Sequence, residues 1–196
     1  MTLPAWIAAI VLFLQLPIPL YWFVVHPAAR FWRRYPRAVY VVGLACSWLP
    51  VTIALVAFHR RLFRPAWPSI PAFAAGLVLI ALEMWIFWRV HRDLGTARLV
   101  GKAEISGAGE IQRGGIYGAI RHPRYTGSFL AIVGACILGG TRLAWIAAGA
   151  WLVLMTAVIM LEGREMRARF GEAYADYCRQ VGPFMPGKSR RRSRRN

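Results

Sequence analysis

Five long apolar segments, joined by short basic connections, constrain this chain more than any other feature of its sequence. They cover residues 3–25, 39–58, 72–88, 125–140 and 143–161. A helix needs about 17–25 apolar residues to cross a bilayer, and only a helix or a closed barrel satisfies its own backbone hydrogen bonds there. The segments therefore predict an all-α integral membrane protein with about five transmembrane helices.

The fourth and fifth segments are separated only by Thr141 and Arg142. We expect them to form a tight helical hairpin, and whether the short fourth segment crosses the bilayer fully stays open. Pro17 and Pro19 are expected to kink the first segment, which membrane helices tolerate when neighbouring groups satisfy the freed backbone.

The charged residues are segregated into the connections. The chain has 25 Lys and Arg against 8 Asp and Glu, a formal net charge of +17, although 58% of its 196 residues are hydrophobic. A protein that binds nucleic acid would spread its basic residues along soluble elements, so this pattern argues against that class. The first connection, the third connection and the C-terminal tail hold 21 basic residues, and the other two connections hold four. The positive-inside rule therefore predicts that the third connection and the C-terminus are cytoplasmic.

The last residues form a low-complexity basic stretch, KSRRRSRR. We expect residues 188–196 to be a disordered polybasic tail that contacts anionic lipid headgroups of the membrane. The three cysteines are scattered and have neither a disulfide pattern nor a metal-ligand spacing, so no metal site is expected.

A first stretch suited to chemistry, GGIYGAIRHPRYTG, enters the fourth segment. Its glycines would let the backbone approach a ligand closely. Arg121 offers a rigid fork for a carboxylate or phosphate, and His122 can donate or accept a proton near neutral pH. Pro123 is suited to the first turn of a helix, and Tyr117 and Tyr125 could stack on a base or face a cation.

A second stretch follows the fifth segment. Glu162 and Glu165 share one face of a helix that continues out of the membrane, and Glu165 is expected to play a supporting part. A carboxylate at the end of a span is costly to leave unpaired, so Glu162 is either functional or an ion-pair partner of Arg121, Arg164 or Arg167. The aromatic residues expected to pack this region onto the bundle are Phe170, Tyr174 and Tyr177.

The two stretches form an ordered pair of motifs on either side of a helical hairpin. The pattern G-x-Y-x-x-x-R-H-P-x-Y-x-G is present at Gly115, Tyr117, Arg121, His122, Pro123, Tyr125 and Gly127. The pattern E-x7-F-G-x-x-Y-x-x-Y is present at Glu162, Phe170, Gly171, Tyr174 and Tyr177, with a V-x4-P ending at Val181 and Pro186. The pair resembles the isoprenylcysteine carboxyl methyltransferases and their phospholipid N-methyltransferase relatives, which are membrane enzymes that use S-adenosylmethionine.

This resemblance covers about residues 100–187 and implies a cofactor-binding catalytic half, closed by a cytoplasmic C-terminal helix. The residues that it places against S-adenosylmethionine are Gly109, Glu110, Ile111, Gln112, Tyr117, His122, Pro123, Arg124 and Tyr125. The resemblance places Glu162, a candidate catalytic residue, where the cofactor meets the substrate. A second candidate catalytic residue is Arg121, whose guanidinium could face the cofactor's carboxylate. Residues 1–99 would shape a lipid-facing cleft for a lipophilic acceptor, either an isoprenyl thiol or carboxylate or a phospholipid-like molecule.

The chain departs from the family pattern in two places. Many relatives have a second acidic residue directly after the glutamate, where this chain has Gly163. The isoprenylcysteine enzymes have an arginine one turn before it, facing the substrate carboxylate, where this chain has Val158. The second departure weakens the case for a prenylcysteine carboxylate but leaves methyl transfer standing.

Two other functions stay open. The steroid 5α-reductase-like membrane reductases share a similar RHPxY stretch, and the cations that could bind NADPH phosphates here are Arg98, Lys102, Arg113 and Arg124. The spacing from Glu162 to the Phe-Gly pair favours methyl transfer. A non-catalytic scaffold or transporter subunit is the third possibility, because Glu83 lies inside an apolar segment. Its position near Arg89 and His91 predicts a buried pair or a lining of the substrate cleft.

Overall fold

The computed structural model of the protein describes residues 1–32, 34–35, 37–95 and 110–186. Its elements are α1 (Leu3–Gln15), α2 (Ile18–Val25), α3 (Ala29–Trp32), α4 (Ala38–Ala57), α5 (His59–Leu62), α6 (Ile70–Leu94), a 3-10 helix (Gly115–Gly118), α7 (Pro123–Gly139), α8 (Arg142–Phe170) and α9 (Glu172–Gln180). Within these ranges the only β pairing is two isolated bridges, which confirms the predicted all-α class. The predicted cofactor contact Gly109 and the predicted basic tail lie outside the described residues.

Four helical stretches are long and apolar enough to cross a membrane, namely Leu3–Val25, Ala38–Ala57, Ile70–Leu94 and Arg142–Phe170. Only 17% of the most apolar window of the second and of the third stretch is buried within the protein. Exposed apolar faces of this length are stable only in lipid, so this is an integral membrane protein. The remaining predicted span corresponds to α7, which has 17 residues.

The turn between α7 and α8 reaches the end of the bundle where α5 lies. The Gly139 carbonyl accepts a hydrogen bond from the Arg64 N–H at 2.8 Å, and the Thr141 N–H donates to the Leu62 carbonyl at 2.9 Å. The Thr141 hydroxyl also accepts from the N–H of Leu143 at 3.2 Å and so caps α8. The predicted tight hairpin is therefore present, and α7 reaches this end of the bundle despite its length.

The opposite end of α7 begins inside the bundle, alongside α6. The two helices run antiparallel in close contact: a Cβ atom on Gly134 would lie 2.8 Å from the Gly76 carbonyl oxygen. Small residues allow such an approach between membrane helices. Near the start of α7, Gly127 packs against Ile86, and α6 continues to Leu94, about 12 Å further along its axis. The first turn of α7 is thus recessed below the end of α6.

The predicted kink lies between α1 and α2. Pro19 has no N–H to donate to the Gln15 carbonyl four residues earlier. The Nε1–H of Trp151, on α8, donates to this carbonyl instead, at 3.0 Å in a buried position. A neighbouring helix therefore satisfies the backbone group that the proline leaves free, as the membrane interior requires.

We expect Trp151→Phe to lower the free energy of unfolding in detergent by about 1–2 kcal/mol, because the buried Gln15 carbonyl loses its donor. The loss should be smaller in a Pro19→Ala background, since the backbone N–H that this substitution restores can donate to the Gln15 carbonyl in place of Trp151. Thermal and denaturant unfolding of the four proteins measures this coupling. Equal losses in the two backgrounds would contradict the role assigned to Trp151.

Candidate active site

A cavity lies at the end of the bundle where the C-terminal ends of α2, α6 and α8 meet the recessed start of α7. Its volume is about 160 Å³, and one side is open. Every predicted site residue that the structure describes lines it, namely Glu110, Ile111, Gln112, Tyr117, Arg121, His122, Pro123, Arg124, Tyr125 and Glu162. Two stretches that are distant in sequence therefore form one site.

Asp93, near the end of α6, holds the glycine-rich segment in place. Its carboxylate accepts a hydrogen bond from the Ile116 N–H at 2.7 Å. Gly115 has a φ of +59°, and a Cβ atom there would overlap the Asp93 carboxylate. Glycine is therefore required at this position by Asp93 and by the backbone conformation, and the predicted close approach of a ligand stays a prediction. The result is that Tyr117 is fixed at the cavity wall.

A tail segment, residues 172–183, covers the outer side of the cavity. The Tyr177 hydroxyl donates to the Tyr117 carbonyl at 2.7 Å. Beyond α9, the Gly182 carbonyl accepts a hydrogen bond from the Arg121 N–H at 2.9 Å. In the same way, the Pro183 carbonyl accepts from the His122 N–H at 3.0 Å. The tail segment is thus bound to the backbone of the RHP motif itself.

Glu162 lies at the centre of the site, on α8. Its Oε2 accepts a hydrogen bond from the Tyr125 hydroxyl at 2.9 Å and lies 3.8 Å from the His122 Nδ1. The His122 and Tyr125 rings are nearly parallel, with centroids 5.7 Å apart. The Glu162 side chain is 29% exposed, so its carboxylate is open to the cavity while Tyr125 orients it.

The protonation states of the lining residues follow from burial. Burial, together with the neighbouring Arg121 guanidinium, lowers the pKa of His122 to about 4. The imidazole is therefore neutral at pH 7, and its contact with Glu162 is not an ion pair. Burial, and next the Glu162 charge, raise the pKa of Tyr117, and burial raises that of Tyr177 to about 12. Both phenols are accordingly protonated at neutral pH.

Arg121 lies on the side of the cavity that α9 covers. Its Nη1 donates to the Cys178 sulfur at 2.9 Å. Its Nε is buried and has no acceptor among the described residues. The guanidinium thus lines the cavity and is held next to α9.

Arg124 lies on the opposite side, against α6. Its Nη1 contacts Glu83 Oε1 and Ser128 Oγ, both at 3.2 Å. Glu83 was expected to form a buried pair, with Arg89 and His91 nearby, or to line the substrate cleft. It does form an ion pair, but the partner is Arg124 and the pair is only part-buried. The reason is the antiparallel contact of α6 and α7, which brings Glu83 level with the recessed first turn of α7.

The N-terminal half supplies a wall of the cavity that sequence reasoning missed. Trp22 and His26 line it, with stacked rings 5.0 Å apart. The His26 Nδ1 lies 2.8 Å from Glu165 Oε2, and Arg169 lies 3.4 Å from the other carboxylate oxygen. Glu165 therefore joins α8 to the end of α2. The only sequence signal for His26 is its position directly after the first apolar segment.

We expect His122 to protonate near pH 4, rather than near the ordinary 6.5. Because the pKa is lowered only in the folded protein, His122 leaves stability unchanged above pH 6.5 and destabilises the fold as the pH falls from 6.5 towards 4. NMR of histidine-labelled protein in detergent measures the titration, and His122→Gln identifies the resonance. A resonance that titrates near 6.5 would show that burial does not control this imidazole.

Comparison with known proteins gives one match. A model of a family described as Phospholipid methyltransferase matches residues 71–173, which is slightly more than half of the chain. The match runs from the start of α6 to the start of α9, so it includes Glu162 but neither Trp22 nor His26. No curated protein and no solved structure matches the chain.

Proposed function

We propose that this protein, which belongs to the phospholipid methyltransferase family as its two motifs predict, transfers a methyl group from S-adenosylmethionine to a lipophilic acceptor. The family match supports a membrane methyltransferase. The observation that carries the proposal for this site is the Glu162 carboxylate, which Tyr125 orients at 2.9 Å within a cavity lined by tyrosines and arginines.

The lining of the cavity suits the parts of S-adenosylmethionine. Aromatic faces attract cations, so Tyr117 and Tyr125 would face the sulfonium. Arg121, whose guanidinium lines the cavity, would bind the carboxylate. The cavity of about 160 Å³ is smaller than the roughly 300–1,000 Å³ of most small-molecule sites, so the cofactor would fill it and extend through its open side.

Further contacts with the nucleoside part would come from residues that the resemblance indicates, namely Glu110, Ile111, Gln112, His122 and Pro123. The resemblance also assigns Arg124 to the cofactor, and its Nη1 is engaged by Glu83 on the α6 side. Bound here, S-adenosylmethionine would supply an electrophilic methyl group.

The protein itself would then align the reacting groups and control the charge of the Glu162 carboxylate. Methyl transfer is an in-line displacement, and positioning supplies much of its rate. Glu162 would orient the acceptor, or accept its proton where the nucleophile is an amine. His122 is neutral at pH 7 because its pKa is about 4, so it does not cancel the charge of this carboxylate.

The acceptor would reach Glu162 from the bilayer, between helices. Trp22 and His26, which line the cavity from the N-terminal half, would contact it and set its fit. Val158, at the position where the isoprenylcysteine enzymes have an arginine, is fully buried in the apolar core. No cation is therefore available at that position for an acceptor carboxylate, which favours an acceptor of phospholipid type.

The site would face the cytoplasm. The C-terminal ends of α2, α6 and α8, which meet at the cavity, lead into the three parts of the chain that hold 21 of the 25 basic residues. The positive-inside rule places such connections in the cytoplasm, where S-adenosylmethionine is made.

We expect the detergent-solubilised protein to bind S-adenosylhomocysteine in calorimetric titrations. His122→Ala and Tyr125→Ala should weaken this binding about tenfold, and Gly163→Ala, at a helical position with open space around it, should not change it. NADPH should give no heat of binding. Binding of NADPH instead of S-adenosylhomocysteine would assign the protein to the reductases.

We expect Glu162→Gln to reduce methyl transfer at least a hundredfold while changing the Kd for S-adenosylhomocysteine less than threefold, because the carboxylate acts mainly on the acceptor. The assay follows label from [methyl-³H]-S-adenosylmethionine into the organic phase of a total lipid extract. Equal losses of turnover and of cofactor affinity would overturn this role for Glu162.

A further inference from the structure

A cluster of polar side chains lies within the membrane-spanning part of the bundle, next to the cavity. Glu83 Oε1 accepts from Arg124 Nη1 at 3.2 Å and from Gln15 Nε2 at 3.3 Å. Arg124 Nη1 also donates to Ser128 Oγ at 3.2 Å. Glu83 is only 8% exposed and lies about 16 Å along α6 from Leu94. The cluster therefore joins α1, α6 and α7 inside the bilayer.

An ion pair in this place requires an explanation beyond stability. Removing two charges from water costs more than their attraction commonly returns, and an apolar pair of similar volume would often be as stable. Ionisable groups inside membranes usually serve a function. Here the link to function is Arg124, which belongs to the cluster and also lines the cavity.

Arg124 has a long cationic side chain, and it lines a cavity that Glu162 also lines. The attraction between the two charges would be strong in a site with little water. Two contacts hold Arg124 towards α6: the pair with Glu83, and the Phe87 ring, whose centroid lies 4.9 Å from the guanidinium carbon. On the other side, Glu162 accepts its hydrogen bond from Tyr125.

We propose that Glu83 is a positioning residue for the methyl transfer. It holds the Arg124 guanidinium on the α6 side, so that Glu162 keeps its hydrogen bond from Tyr125 and its charge for the reacting groups. This role rests on the proposed function, but the arrangement of charges that it describes can be tested without any substrate. Without Glu83, Arg124 pairs with Glu162 and neutralises it.

The first test is a set of melting temperatures, measured in detergent without ligand and monitored by tryptophan fluorescence. Glu162→Gln should lower the melting temperature by at least 3 °C more in a Glu83→Gln background than in the wild type, because in that background it removes the new partner of Arg124. The matched control is Glu165→Gln on the same helix, which should lower it equally in both backgrounds. An equal effect of Glu162→Gln in the two backgrounds would overturn the proposal, whatever the protein catalyses.

The second test is methyl transfer into the lipid extract. Measured at saturating S-adenosylmethionine, Glu83→Gln should reduce turnover at least tenfold, with less than a threefold change in the Kd for S-adenosylhomocysteine. At the same saturation, which offsets any weaker cofactor binding without Arg124, Glu83→Gln/Arg124→Gln should recover most of the lost turnover. A cluster that only stabilised the fold would give no such recovery. A double variant as impaired as Glu83→Gln would therefore refute the positioning role.

The two tests separate the possible failures. A wild type that neither binds S-adenosylhomocysteine nor transfers methyl groups refutes the proposed function, and the melting temperatures still decide whether Glu83 controls Arg124. If Glu83→Gln does not fold, Glu83→Asp replaces it in both schemes, because it shortens the carboxylate side chain by one methylene and so weakens the contact with Arg124.

Discussion

Inside a bilayer, every polar group must find its partner within the protein, and this requirement organises the whole structure. It explains why Trp151 of α8 donates to a carbonyl freed by a proline in the first span. It also explains why Glu83, Arg124 and Gln15 are gathered in one place instead of being distributed over separate helices. Each of these contacts crosses between helices, so satisfying the polar groups also fixes how the helices are arranged.

The close contact of α6 with α7 then determines the depth of the site. Glycine against glycine, at Gly76 and Gly134, lets the two backbones approach, and the antiparallel register places the first turn of α7 below the end of α6. The RHP motif has to follow α6 inward to reach that depth, held by Asp93 on the way. The Glu162 carboxylate on α8 consequently meets the motif within the bundle and not on its surface.

Much of this arrangement could be predicted from the sequence, and the reasons for the rest are physical. Segment lengths predicted the helices, and Thr141 and Arg142 predicted the hairpin. The two motif stretches supply two thirds of the described cavity lining. The pairing predicted for Glu83 was wrong because hydropathy reports the position of a residue along its own helix, not its level relative to the next helix. Trp22 and His26 were missed because an aromatic residue at the end of a span has the same sequence signal whether it faces lipid or a cavity.

The tail segment also affects how the molecule is made. Helices α1 to α8 leave the ribosome, and can insert into the membrane, before residues 172–183 have left it. Until then the backbone N–H groups of Arg121 and His122 lack the carbonyls that later accept their hydrogen bonds, and Tyr117 lacks Tyr177. Membrane insertion and completion of the pocket are thus separate events in biosynthesis. A nascent chain can be fully integrated in the bilayer while its cavity still has no outer wall.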